Sequence, residues 1–231
     1  MAKKLKPNLA ALAQAAGYVN VTPGLIPTRS PLDPLLGGGL VEGTTTLVVA
    51  EPGQGKTALL QYIQGRIASI SPFKFGRSAY IGCDHSYNHP QYGWASTIKE
   101  LAQVVEDVKT TAGGDPVFCI DDVTMYAAGP GMAASAAAWT KLLHKWKDMT
   151  LVLGVQAKRN MPPKLKTLKP GGGRVLGFQA STILNVNIQA TIPNGVVLNI
   201  KTTKSRWSRP GTSCLLSIVR DETGLWTEEV L

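Results

Sequence analysis

The segment AEPGQGKTALL (50–60) follows the run TTLVV (45–49) and sets Gly55, Lys56 and Thr57 in succession. These three residues end the phosphate-binding pattern G-x-x-x-x-G-K-[ST], although its first position here is Ala50 and not glycine. A triphosphate carries about four negative charges and is best met by donors that need no reorganisation. A loop running through Glu51, Pro52, Gly53, Gln54 and Gly55 into Lys56, Thr57 and Ala58 offers backbone N–H groups and the N-terminus of the following helix. Gly53 and Gly55 let the backbone turn around a β-phosphate without Cβ collisions. Lys56 would reach the β- and γ-phosphates, and the Thr57 hydroxyl would ligand Mg2+. The first position asks chiefly for a small residue, so Ala50 weakens the match without defeating it. The segment predicts a site for ATP and Mg2+.

A second stretch supports the first. VFCIDD (117–122) is four apolar residues running into two carboxylates. A buried strand that ends in Asp delivers a carboxylate to a Mg2+ shell, and Asp121 is assigned that role. Asp122 reads equally as a turn residue or a helix cap. Hydrolysis also needs a group that activates water, and Asp84 ends the run SAYIGCD (78–84) at the same expected sheet edge. His85 and His89 flank it, but no third ligand stands at metal spacing, so they read as polar loop residues and His144 as a helix-surface one.

The elements around these residues fall in a suitable order. TTTLVVA (44–50), SAYIGCD, PVFCIDD (116–122) and TLVLGVQ (150–156) read as short buried strands. Helical patterns lie between them. ALLQYIQGRIASI (58–70) has Leu59, Leu60, Ile63 and Ile67 on one face, and WASTIKELAQVVEDVKTT (94–111) and AASAAAWTKLLHKWKD (133–148) follow. SPLDPLLGGGLVEGT (30–44) reads as loop and turn. Beyond Gln156 come strands with little helix: STILNVNIQAT, GVVLNIKTT and SCLLSIVRD, with a turn at Pro193, Asn194 and Gly195. The pattern predicts an α/β fold whose mostly parallel sheet, flanked by helices, carries an antiparallel C-terminal extension. A core spanning 30–231 and an N-terminal segment over 1–29, a candidate for oligomer contacts, are expected.

With 231 residues, 44% hydrophobic and 17% charged, the chain suits one sizeable soluble domain. No apolar run approaches the ~20 residues of a membrane span, and the N-terminus lacks the apolar stretch of a secretion signal. Cys83, Cys119 and Cys214 are single and far apart, which argues against a zinc or disulfide framework and for a reducing cytoplasm. The net charge of +9 is localised. Between Asp148 and Asp221 there is no acidic residue, yet eleven of the 24 Lys and Arg lie there, leaving 13 basic against 15 acidic elsewhere. One reading is a solvated face that aids solubility. The other is a surface for a polyanion, and the complete exclusion of carboxylates favours it.

The same residues resemble the RecA/RadA recombinase core. LDPLLGGGLVEGTTTLVVAEPGQGKTALL is similar to its opening, SAYIGCDH to the strand whose carboxylate activates water, with Asp84 where that family has Glu, and FCIDDVTMY to its magnesium-aspartate strand. LVLGVQ resembles the strand whose terminal glutamine senses the γ-phosphate and leads into a DNA-binding loop, and GGGRVLGFQASTILNVN the segment that closes that loop. KTTKSRWSRPG resembles the strand that sends two cations into the neighbouring subunit's ATP site.

The resemblance covers 31 to the C-terminus and implies a RecA-like P-loop NTPase fold. It implies a DNA-dependent ATPase whose ATP lies between protomers, with Lys56, Asp84, Gln156, Lys204 and Arg206 acting on it. It also implies a homo-oligomer, as a helical filament or hexameric ring, and single-stranded DNA as partner. The basic stretch AKRNMPPKLKTLKPGGGR (157–174) would meet DNA phosphates through Lys158, Arg159, Lys164, Lys166, Lys169 and Arg174. AAGPGMAAS (127–135) is a candidate first DNA loop, where Met132 reads first as packing. A core-only recombinase or annealing protein of the kind bacteriophages carry is the leading expectation. AEPGQGKT and KSRWSRPGTS are also similar to the ATPase core of DnaB-type hexameric helicases, and a nucleotide-switched assembly protein without a DNA role is the third reading.

Overall fold

A computed structural model describes residues 24–70, 78–82, 92–95, 97–112, 116–124, 132–157 and 174–229. Its centre is β3 (Thr45–Ala50), buried from Thr46 onward. Alternate side chains of a strand point to opposite faces. Leu47 and Val49 pack with Phe118, Trp139, Trp146 and Leu153 on one face, while Val48 and Ala50 pack with Leu59, Leu60, Tyr62 and Cys119 on the other. Both faces are covered, so the strand reads as a continuous apolar run and not as an alternation.

Four strands run parallel to β3 on one side in the order β7 (Leu151–Gln156), β6 (Phe118–Asp121), β4 (Ala79–Gly82), β5 (Tyr92–Trp94). On its other side β8 (Thr182–Ile192) is parallel to β3, and β9 (Gly195–Ser205), β10 (Ser213–Arg220) and β11 (Trp226–Glu228) continue antiparallel. The expected parallel sheet with an antiparallel extension is therefore present, and Asn194 at φ 56 makes the expected β8–β9 turn. Because β3, β6 and β7 are parallel, their C-terminal ends share one edge. There Ala50 is opposite Gln156, and Ile120 is opposite Leu153, one residue before Asp121.

Among the described residues five helices complete the layers: α1 (Asp33–Leu36), α2 (Lys56–Ile70), α3 (Ile98–Ala112), α4 (Met132–Lys145) and α5 (Arg174–Gln179). In α2 the expected face of Leu59, Leu60, Ile63 and Ile67 is buried, but so are Gln61, Tyr62 and Gln64. Gln64 reaches the Ser78 hydroxyl at 3.2 Å, and the burial of Gln61 and Tyr62 comes from β11. Trp226 Nε1 donates to Gln61 Oε1 at 3.1 Å, and the Tyr62 hydroxyl donates to Glu228 at 3.0 Å. Burial pushes the Tyr62 hydroxyl up to about 12. Cys119 is buried and Cys214 half-buried, each packed as an apolar side chain, and His144 is exposed on α4.

Several boundaries differ from the sequence reading. The stretch expected to be loop holds α1 and β2 (Leu40–Val41), and β2 pairs with β1 (Leu25–Ile26). Ile26 is buried, and Asp33 accepts the Thr28 N–H and hydroxyl, so structure on the N-terminal side of residue 30 is packed against the core. Trp94 belongs to β5 and not to a helix, because α3 begins only at Ile98. The short α5 and β11 lie where no regular element was expected. Among the described residues no helix is long and apolar enough to cross a membrane.

Gly154 in β7 lies against the strand end that carries Asp121. A Cβ at this position would stand 2.5 Å from Asp121 Oδ1 and 2.7 Å from Leu60 Cδ1. Overpacking of this kind costs about 1–3 kcal/mol. Gly154→Ala is expected to lower unfolding free energy by that amount in urea titration, and an unchanged midpoint would contradict the packing described.

Candidate nucleotide-binding site

The loop between β3 and α2 is shaped by two left-handed glycines, Gly53 at φ 75 and Gly55 at φ 82. Gly55 is needed twice over. An L side chain is strained at that φ, and a Cβ would lie 2.5 Å from Leu198 Cδ2. The Leu59 N–H donates to Gly55 O at 3.0 Å, so the helix begins on the loop itself and turns its N-terminus toward the cleft. Gln54 points elsewhere. Its Oε1 accepts the Ile188 N–H at 3.1 Å, where β8 has outrun its pairing with β3 and its register against β9 shifts. That bond fastens the loop to the C-terminal strands.

Lys56, Thr57 and Asp121 converge, as the sequence predicts. The Lys56 ammonium is ion-paired and hydrogen-bonded to Asp121 Oδ1, and the Thr57 hydroxyl donates to Asp121 Oδ2. Tyr80, on the neighbouring β4, also donates its hydroxyl to Asp121 Oδ2 at 3.2 Å. Asp122 fills the turn role read for it and also faces Lys56. Its Oδ1 accepts the Thr124 N–H at 2.8 Å, a turn bond, while Oδ2 lies 3.3 Å from the Lys56 ammonium. That contact is close enough for charge attraction but is not aligned as a hydrogen bond, so Oδ2 remains a buried acceptor on the cleft. Burial alone would lower the Lys56 pKa, but the Asp121 and Asp122 carboxylates outweigh it and raise it above its ordinary value.

These groups suit Mg2+. That ion takes one or two carboxylates together with phosphate oxygens and water, and does not require an all-protein cage. The Thr57 hydroxyl and the Asp121 carboxylate, already in contact, would supply the protein's share, with Asp122 Oδ2, ion-paired to Lys56 but not hydrogen-bonded, beside them. Among the described residues no group of three His, Cys, Asp or Glu side chains gathers to hold a metal.

The loop opens into a cleft of about 430 Å3 lined by Glu51, Pro52, Gly53, Gly55, Lys56, Thr57, Ala58, Asp122 and Gln156. Gln156 is held at the sheet edge, its N–H donating to Thr124 Oγ1 at 2.7 Å. The C-terminal strands line the rest of the cleft with Ile188, packed beside Gly55, and with Val196, Arg220 and Trp226, which sequence reading missed. The only signal in the sequence was a lone tryptophan after the turn at Asp221. Nothing local tells that β11 folds back over α2.

Other predicted residues stand apart. Lys204 and Arg206 are at the end of β9 that pairs with the start of β8, since Ser205 is opposite Thr182, and Thr182 in turn is opposite Thr46. They therefore lie at the sheet edge opposite the Lys56 loop of the same chain. Arg206 is exposed there. The Lys204 ammonium, expected to reach a neighbour, donates to the carbonyls of Gly177 (3.0 Å), Phe178 (3.1 Å) and Ala180, where it closes the C-terminus of α5. Burial and the nearby Arg206 lower its pKa. Asp84, His85, His89, Cys83, Lys158, Arg159, Lys164, Lys166 and Lys169 lie outside the described residues, as do the side chains of Met132 and Arg174.

Fold and loop together define an α/β protein of RecA-like architecture whose β3–α2 loop carries the glycine, lysine and threonine that end the phosphate-binding pattern. Comparison with solved structures agrees. The chain is similar to a KaiC-like protein from the hyperthermophilic archaeon Pyrococcus horikoshii, with a TM-score of 0.59 at 13% identity over 90% of this chain and 100% of that one. No protein-family model matches the sequence, and no curated protein matches it.

The Lys56 pair has a stability signature. A lysine whose folded pKa is raised contributes stability that is present below its unfolded value and lost as pH rises through the folded one. Lys56→Met would leave two buried carboxylates without their cation, a loss of about 3–5 kcal/mol. The stability gap between the two proteins is expected to hold through neutral pH and to shrink above the ordinary lysine value of 10.5. Urea unfolding of both across pH checks this; a gap that widens above that pH would contradict the pairing.

Proposed function

We propose that the chain hydrolyses ATP at a site shared between copies of itself, and that nucleotide state governs its grip on single-stranded DNA in a recombination role. The observation that carries the nucleotide reading is the convergence of Lys56, Thr57 and Asp121 at the mouth of a glycine loop on the C-terminal sheet edge. Backbone N–H groups of Gly53 to Thr57 would cup the β-phosphate, and Lys56 would move from Asp121 onto the β- and γ-oxygens. Mg2+, held by Thr57 and Asp121, would neutralise charge on the same oxygens. Water, activated by Asp84, would attack the γ-phosphorus as its bond to the β–γ bridging oxygen breaks, and Gln156 would sense the γ-phosphate that is lost.

The shared site is supported by the place of Arg206. It is exposed at the edge away from its own loop, so it reaches a phosphoryl group only in a second copy. There it would complement charge that develops in transfer. Lys204 is tied to α5 in the same copy, and its part is to hold that strand end beside Arg206. The DNA reading is supported by the acid-free stretch between Asp148 and Asp221 and by the phosphate-binding chemistry of Lys158, Arg159, Lys164, Lys166, Lys169 and Arg174.

Two experiments test these readings. Lys56→Ala and Arg206→Ala are each expected to lower ATP turnover at least a hundredfold. An equimolar mixture is expected to recover activity, because some interfaces then join an intact loop to an intact arginine; no recovery would contradict a shared site. Neutralising Lys164, Lys166 and Lys169 together is expected to weaken binding to single-stranded DNA and to flatten its salt dependence by about one unit of log–log slope per lost phosphate contact. An unchanged slope would return the basic stretch to a solvated face.

A further inference from the structure

The wall of the cleft supplied by the C-terminal strands has a chemistry of its own. Arg220 ends β10 and stands directly across from Trp226 on β11, and its guanidinium carbon lies 5.1 Å from the indole centroid. The turn between them is fixed by Asp221, whose Oδ1 accepts the Thr223 and Leu225 N–H groups at 2.9 and 3.0 Å. The indole is pinned in turn, because Nε1 donates to Gln61 Oε1. Gln61 is four residues beyond Thr57 on α2, so it shares a helix face with the Mg2+-binding hydroxyl one turn away, about 5.4 Å. Ile188 and Val196 complete an apolar wall beside them.

We infer that Trp226, stacked with Arg220 and bordered by Ile188 and Val196, is the platform for the nucleobase of the bound nucleoside triphosphate. The inference rests on the nucleotide reading above and deepens it. The phosphate end of the cleft is charged, whereas this wall offers an indole with a guanidinium stacked on it, and aliphatic carbon. Such a surface attracts a flat aromatic base through stacking, and area rather than a hydrogen-bond pattern sets its preference. Purine nucleotides therefore bind more tightly than pyrimidine ones, and adenine and guanine are little distinguished. The hairpin β10–β11 also closes over α2 through the Tyr62–Glu228 bond, so the wall is tied to the helix that follows the phosphate loop.

The test is calorimetric binding of ATP, CTP and inorganic tripolyphosphate, each with Mg2+, to the full chain and its variants. Trp226→Ala is expected to raise the Kd for ATP roughly tenfold, within the range of base–aromatic stacking, and to leave tripolyphosphate unchanged. Trp226→Phe, which keeps a ring but not the Gln61 bond, is expected to stay within about threefold of wild type. Wild type, which needs no variant to fold, is expected to prefer ATP over CTP by at least threefold. Loss of ATP and tripolyphosphate affinity together in Trp226→Ala, or equal ATP and CTP affinities in wild type, would overturn the base platform while leaving the phosphate loop standing. If wild type binds neither ATP nor tripolyphosphate, the nucleotide reading falls and the platform with it.

Discussion

One carboxylate, Asp121, organises this molecule. It receives the Lys56 ammonium, the Thr57 hydroxyl and the Tyr80 hydroxyl in a site from which water is almost excluded. A buried charge is tolerable only when it is paired and hydrogen-bonded, and these donors come from two separate elements. Asp121 sits where β6 leaves the sheet, Tyr80 on the neighbouring β4, and Lys56 and Thr57 where α2 begins. The site is thus built only when the parallel strands are in register and α2 is docked. Gly154 adds a steric condition, since any side chain there would displace the carboxylate.

The same geometry divides the chain's chemistry between two edges. The glycine loop with Lys56 and Thr57, Asp121 and Gln156 gather at the C-terminal ends of the parallel strands, where crossover folds leave their ligand crevice. The β8–β9 reversal carries Lys204 and Arg206 to the other edge. In the proposed shared site, the loop of one copy would meet the exposed arginine of the next head to tail, an arrangement that would yield a ring if the rotation closes and a filament if it does not. Lys204 links this edge to the helix that follows the basic stretch, because its ammonium closes α5.

Much of this was legible in the residues, and the parts that were not have a common cause. The loop, Asp121, Gln156, the apolar face of α2 and the four central strands are local patterns of chemistry and period. Their meaning does not depend on distant partners. Trp226, Arg220 and Ile188 acquire theirs only from tertiary contact, through β11 lying over α2 and a register shift in β8 that meets Gln54. Lys204 shows the reverse: a motif placed it at a neighbour's phosphates, whereas three carbonyls of its own chain hold it. Trp94 was drawn into a helix because helical residues follow it, but pairing with β4 takes it into β5.

The central claim is that Asp121 and Lys56 form the receiving end of a Mg2+–triphosphate site. A crystal structure of the chain grown with Mg2+ and a non-hydrolysable ATP analogue tests it most directly. The account predicts the β-phosphate within the loop from Gly53 to Thr57, Lys56 Nζ transferred to phosphate oxygens, and the metal between Thr57 Oγ1 and Asp121. Nucleotide bound at another surface, with the Lys56–Asp121 pair undisturbed, would contradict it.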